Sequence, residues 1–136
     1  SVNGVSDRVK VLGECDLAAL NAALESPGPH LVICDAEGAE QTLLDPAKAP
    51  RLAAAAILVE LHEFITRGIS EQVRERFQAT HLIDQIWSSD RALADFPYRS
   101  WATRVLPAKF IRNSIREFRP EQMSWFWMTP RSSAAN

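Results

Sequence analysis

Residues 31–40, LVICDAEGAE, decide how the fold of this chain is interpreted, because an apolar run leads there directly into acidic residues. The segment HLVICD at 30–35 is almost continuously apolar, which is typical of a strand buried on both faces in a parallel sheet. Asp35, Glu37 and Glu40 follow at its end. A buried carboxylate without a partner is costly, so these groups are either solvated at the strand tip or directed at another group.

The composition is that of an ordinary globular protein. The 136 residues are 46% hydrophobic and 24% charged, which favours one domain over 1–136. The formal net charge of -2 favours neither nucleic acid nor an anionic membrane, and no membrane span or signal peptide is recognised. Cys15 and Cys34 lack a CxxC spacing, so we expect free thiols in a reducing, cytoplasmic environment.

Strand and helix patterns alternate along the chain, which predicts an α/β domain with a largely parallel sheet. Asp16 is the expected N-cap of the first helix, and Ser70 that of the third. Strands are predicted at 8–13, 30–35, 57–64, 81–87 and 123–128. Helices are predicted at 17–24, 37–44, 69–80 and 107–118.

A second polar group lies in the segment VELHEF, which contains Glu60, His62 and Glu63. In open α/β sheets ligands bind at the carboxyl ends of parallel strands, so this group and Asp35 converge if their strands are neighbours. Strand alternation places Glu60 and His62 on one face and Glu63 on the other. The sequence therefore predicts an acidic rim that contains one histidine.

Structural roles compete with each of these interpretations. Glu37 and Glu40 fit the first turn of a short helix, where carboxylates favour the helix dipole, and Asp35 fits an N-cap. His62 fits either a hydrogen-bonded histidine at the edge of the core or a metal ligand. The spacing matches no recognised metal-ligand motif, so no metal site is assigned. The sequence also contains no GxGxxG, P-loop or GxSxG motif.

The segment ICDAEGAE resembles the D-x-E-G-A-E segment that ends the fourth strand in FkbM-like S-adenosylmethionine-dependent methyltransferases. Four further segments resemble the third, fifth, sixth and seventh strands of that fold, in this order: NGVSDRVKVLGECD, AAILVELHEF, ISEQVRERFQATHLIDQI and MSWFWMTP. The family's strand order is 3-2-1-4-5-7-6. The resemblance therefore implies an incomplete Rossmann-like methyltransferase sheet, mostly parallel, with one antiparallel strand near the C-terminus.

The same resemblance implies that the chain is the C-terminal portion of the domain, without its first two strands and its glycine-rich cofactor loop. It assigns the cofactor S-adenosylmethionine and a small-molecule methyl acceptor. The site residues that it implies are Glu14, Cys15 and Asp16 beside the adenine, Asp35 and His62 in catalysis, and Glu37, Glu60 and Glu63 toward the substrate.

Two functions follow from these expectations. One is an incomplete methyltransferase, and the other is a non-catalytic dimerising or binding module derived from the same fold. Without the first two strands, one edge of the strand at 30–35 has no partner, which invites pairing with another chain. We therefore predict that the strand at 8–13 either moves against 30–35 or pairs between protomers of a homo-oligomer.

Overall fold

A computed structural model of the chain describes residues 3–5, 7–97, 101, 105–116 and 121–131, and it shows a mixed α/β fold. The helices are α1 (Leu17–Leu24), α2 (Glu40–Leu43), α3 (Ile69–Phe77) and α4 (Ala108–Ile115), with 3-10 helices at Pro50–Ala54 and Leu93–Asp95. The strands are β1 (Leu31–Cys34), β2 (Ala56–Leu61), β3 (His81–Trp87) and β4 (Ser124–Pro130). Within these ranges, no helix is both long and apolar enough to cross a bilayer.

The four strands form one open sheet in the order β1-β2-β4-β3. β1 and β2 are parallel, whereas β4 lies between β2 and β3 and is antiparallel to both. The prediction of a mostly parallel sheet is therefore right for strand direction, because three of the four strands run the same way. It is wrong for pairing, because two of the three adjacent pairs are antiparallel.

The core lies on one face of this sheet, where side chains of β2 and β4 meet α1 and α3. In α3, Ile69, Val73 and Phe77 recur every fourth residue, so they form one apolar stripe toward the sheet. They pack in one cluster with side chains from the rest of this layer, among them Leu20, Leu24, Ile57, Val59, Leu61, Phe126 and Met128. Full burial of each large apolar side chain contributes about 1.5–3 kcal/mol.

The two predicted helix caps differ in outcome. Asp16 caps α1 as predicted, because its Oδ1 accepts the backbone N–H of Ala19 at 2.8 Å. The prediction for Ser70 is wrong, because α3 begins after Gly68, whose φ of +79° favours glycine. Ser70 lies inside the helix. The predicted helix at 107–118 ends at Ile115 in α4, and residues 117 and 118 lie outside the described part of the chain.

The predicted strand at 8–13 does not form, and within the described residues it does not pair with β1. Val9, Val11 and Leu12 are exposed there. An extended segment needs a neighbouring strand to satisfy its backbone groups, and alternation alone does not supply one. β1 itself is not buried on both faces as predicted, since Leu31 and Ile33 are 56% and 68% exposed.

The one-sided core predicts opposite outcomes for two phenylalanine truncations. Phe126 is fully buried in β4 with the Arg74 guanidinium 4.6 Å above its ring, whereas Phe110 of α4 is exposed. We expect Phe126→Ala to lower the free energy of unfolding by about 3–5 kcal/mol, because it removes a core side chain and leaves a cavity. We expect Phe110→Ala to change it by less than about 0.5 kcal/mol. Urea denaturation followed by circular dichroism measures both, and equal losses would contradict the described core.

Candidate functional site

The carboxyl ends of β1 and β2 bring together Asp35, Glu60 and His62. Because the two strands are parallel, with Cys34 opposite Val59, the chain leaves both of them at the same edge of the sheet. One side-chain ligand atom from each of the three residues lies within 4.8 Å of the others. The side chain of His62 is only 7% exposed, whereas that of Asp35 is 62% exposed, and Nε2 of His62 lies 3.5 Å from Oδ1 of Asp35.

Behind this cluster lies Glu40, a fully buried carboxylate in the first turn of α2. Its Oε1 accepts the N–H of Ala36 at 3.3 Å, and its Oε2 accepts the N–H of Gly38 at 2.7 Å. Oε1 also lies 2.6 Å from Nδ1 of His62. The ionised Glu40 carboxylate can only accept, so Nδ1 of His62 donates to it. In the neutral form of this imidazole, Nε2 carries the lone pair and faces Asp35.

The turn that aims Glu40 inward uses unusual backbone conformations. Glu37 has a φ of +45° and Gly38 a φ of +105°. A Cβ added to Gly38 would lie 3.0 Å from Cγ2 of Ile65, so the position lacks room as well as the conformational freedom for a side chain. The turn leaves Glu37 exposed, and Glu37 is not one of the three residues in the cluster.

Glu40 is the site residue that the sequence analysis missed. Helix-dipole reasoning treats Glu37 and Glu40 alike, because both are carboxylates near a helix start. The available signal was Gly38 between them, since a glycine at a required turn reorients the residues that follow it.

Glu63 lies outside the cluster and caps α3 instead. Its carboxylate accepts the N–H of Gly68 and the N–H of Ser70, both at 2.8 Å, and also the Ser70 hydroxyl. Partial burial acts to raise the pKa of Glu63, but these hydrogen bonds from Ser70 and Gly68 outweigh it and hold the pKa below its ordinary value. Glu63, predicted as a substrate residue, therefore binds the N-terminus of α3 in this structure.

The three predicted cofactor residues, Glu14, Cys15 and Asp16, lie together on a cavity of about 420 Å³. The cavity wall is completed by Leu17, Ala18, Ala39, Thr42 and Leu43. Helix α2 therefore contributes to two features: Thr42 and Leu43 line the cavity, and Glu40 points inward to His62.

A larger cavity of about 740 Å³ is lined by none of the predicted site residues. It is lined by Ser88, Ser89, Asp90, Arg91, Arg112, Arg116, Glu121 and Gln122. Three of these residues are arginines and two are carboxylates, and Glu121 lies 3.4 Å from Arg67 in an ion pair. We base no function on this cavity, because its mixed charges select for no particular ligand.

Cys34 ends β1 directly beside the cluster, yet it is chemically quiet. Burial, and then the negative charges of Glu40 and Asp35, raise the pKa of the Cys34 thiol to about 12. The thiolate is the reactive form of cysteine, so burial keeps this thiol in its unreactive form at neutral pH. Cys15 is exposed, and neither cysteine forms a disulfide.

The cluster therefore presents two carboxylates and one oriented imidazole nitrogen at the rim of the sheet. An imidazole held by a buried carboxylate can accept a proton from a bound molecule, and the three groups together can hold a cation. Comparison with known proteins does not choose between these uses: a scan against models of protein families and searches of curated proteins and of solved structures find no match.

The burial of Glu40 predicts that two neighbouring glutamates respond very differently to truncation. Glu40→Ala leaves His62 and two backbone N–H groups without their acceptor, so we expect a loss of about 3–5 kcal/mol in the free energy of unfolding. Glu37→Ala removes an exposed carboxylate from the same turn, and we expect a change below about 0.5 kcal/mol. Urea denaturation compares the variants, and similar losses would refute the buried role of Glu40.

Proposed function

We propose that the chain carries the acceptor-side part of an S-adenosylmethionine-dependent methyltransferase, acting on a small molecule. The observation that carries this proposal is the strand order β1-β2-β4-β3 with β4 antiparallel. It corresponds to the order 4-5-7-6 that ends the sheet of the family that the sequence resembles. Because one fold hosts many functions, the proposal also requires a suitable site.

The position of the cluster supports the proposal. Asp35 follows β1, and His62 follows β2, at the edge where open α/β sheets bind their ligands. The nearby cavity of about 420 Å³ falls within the range of about 300–1,000 Å³ that small-molecule sites occupy. Helix α2 borders both, since Thr42 and Leu43 line the cavity and Glu40 contacts His62.

The chemistry requires a proton acceptor when the methyl acceptor is a hydroxyl or an amine. S-adenosylmethionine, when bound, would supply the methyl group: the lone pair of the acceptor would displace the sulfonium sulfur, and S-adenosylhomocysteine would leave as a thioether with the electron pair of the broken carbon–sulfur bond. The acceptor's proton passes to Nε2 of His62, which Glu40 orients through Nδ1. Asp35, 3.5 Å from Nε2, then stabilises the imidazolium that forms.

Titration with S-adenosylmethionine, followed by amide chemical shifts in NMR spectra, tests this proposal. We expect the shifts to change at the cavity residues of the 14–18 and 39–43 segments and at His62, and we expect methionine alone to leave them unchanged. Changes spread over the whole chain, or none at millimolar cofactor, would refute the proposed cavity.

Two variants of α2 sharpen the same titration. Thr42→Arg places a long charged side chain at the cavity wall without touching the core, so we expect it to abolish the shift changes. Gln41 is the exposed neighbour that does not line the cavity, so Gln41→Arg is the matched control and should titrate like the parent chain.

A second candidate function is a dimerising module, and the outer edge of β1 favours it. Leu31 and Ile33 are exposed on this strand, and no described strand pairs with its outer edge. An exposed apolar strand with free backbone groups is a template for pairing with another chain. Here the acidic rim would be incidental, and the unit of function would be the dimer.

Sedimentation velocity tests this second candidate. We expect the parent chain to dimerise with increasing concentration and Ile33→Lys to remain monomeric, because a lysine on an edge strand opposes pairing. Phe110→Lys introduces the same charge at an exposed apolar residue of α4 and should leave the dimer intact. A parent chain that stays monomeric at the highest attainable concentration would exclude the module.

A further inference from the structure

We propose that Asp35, Glu60 and His62 bind one divalent transition-metal cation, of the Mn²⁺ or Zn²⁺ class, with Glu40 as the positioning residue. The geometry of these residues supports this site, which does not depend on the proposed transferase function. The sequence alone predicts no metal site here, because the spacing of the three residues along the chain matches no recognised motif.

The ligand atoms of His62 and Asp35 already have the spacing of a tetrahedral site, and the Glu60 ligand atom lies within 4.8 Å of both. Atoms that lie about 2.1 Å from one cation in a tetrahedral arrangement are about 3.4 Å from each other. The Nε2–Oδ1 distance between His62 and Asp35 is 3.5 Å, and all three ligand atoms lie within 4.8 Å. Asp35 is well exposed, so its side chain is free to adjust and the cation has a route of entry.

His62 has the environment of a metal-bound imidazole. Metal-binding histidines generally donate their second N–H to a carboxylate or carbonyl, which orients the ring and makes the metal-binding nitrogen more basic. His62 does this through Nδ1, at 2.6 Å from the buried Glu40. Among the residues that the structure describes, none makes a hydrogen bond of ordinary length to its Nε2, and the Asp35 carboxylate lies 3.5 Å away. More than nine-tenths of the His62 side chain is buried.

The donor types select the class of cation. Two carboxylates and one imidazole suit Mn²⁺, Fe²⁺ and Zn²⁺, whereas Mg²⁺ and Ca²⁺ prefer shells made of oxygen alone. The carboxylates also supply the two negative charges that a divalent cation needs in a partly buried site.

A bound cation changes what His62 can do. The single lone pair of Nε2 either accepts a proton or binds the metal, so in the loaded protein His62 is a ligand. A hydroxyl or water bound to the cation would instead lose its proton more readily, and solvent water would accept that proton. His62 would then hold the cation and would not act as the base of the proposed methyl transfer.

Titration of the whole chain with Mn²⁺, followed by the loss of the free-ion signal in electron paramagnetic resonance, tests the site without any cofactor. We expect one Mn²⁺ per chain, competition by Zn²⁺ and little competition by Mg²⁺. Asp35→Asn and Glu60→Gln remove ligand charge and should weaken binding at least tenfold. Glu40→Gln should weaken it about 10–100-fold, as loss of the group behind a metal-bound histidine does.

Glu37→Gln removes one exposed carboxylate beside the site and should bind Mn²⁺ like the parent chain, which separates ligation from general acidity. Circular dichroism establishes that each variant is folded. Imidazole ¹⁵N spectra of the parent chain add a readout that no structural role would move, because Zn²⁺ should shift Nε2 of His62 selectively. Absence of one-to-one binding, or equal affinity in Asp35→Asn, Glu60→Gln and the parent chain, would overturn the proposal. So would an unshifted Nε2.

Discussion

The contact between the buried carboxylate of Glu40 and Nδ1 of His62 is the constraint on which the rest of the site depends. A fully buried carboxylate is tolerated only when its oxygens are satisfied, and Glu40 meets this condition through Ala36, Gly38 and His62. The same contact ties α2 to the end of β2. The buried Glu40 carboxylate therefore fixes the position of α2, the orientation of the His62 ring and the direction in which Nε2 points.

This constraint acts through the sheet. Glu40 follows β1 and His62 follows β2. Because β1 and β2 are parallel neighbours, both residues lie at the same edge of the sheet. An antiparallel pairing of these two strands would place Asp35 and His62 at opposite ends. β4 is antiparallel, but it pairs on the far side of β2 and so leaves this edge unchanged. The mixed pairing of the sheet is thus compatible with a site of the parallel type.

Sequence patterns predicted those features that depend on local periodicity. The strand at 81–87 has its predicted bounds, Asp16 caps α1, and Asp35, Glu60 and His62 lie together at the ends of neighbouring strands as predicted. Patterns failed where a distant partner decides. The segment 8–13 alternates like a strand but has no described strand beside it, and Glu40 differs from Glu37 only through a turn and a histidine 22 residues further on.

Nε2 of His62 can either accept a proton or bind a cation, so the two proposed uses of the cluster exclude each other at this atom. If Nε2 takes a proton, Asp35 serves as the counter-charge of an imidazolium, and Glu60 remains at the rim. If Nε2 binds a cation, both carboxylates become ligands, and Glu40 acts by orienting the ring and increasing its basicity. In both cases His62 acts only because Glu40 accepts from Nδ1, so the buried glutamate is common to the two mechanisms. The carboxylates of Asp35 and Glu60 distinguish the two mechanisms, since two negative charges beside one imidazole match a divalent cation more closely than a single proton.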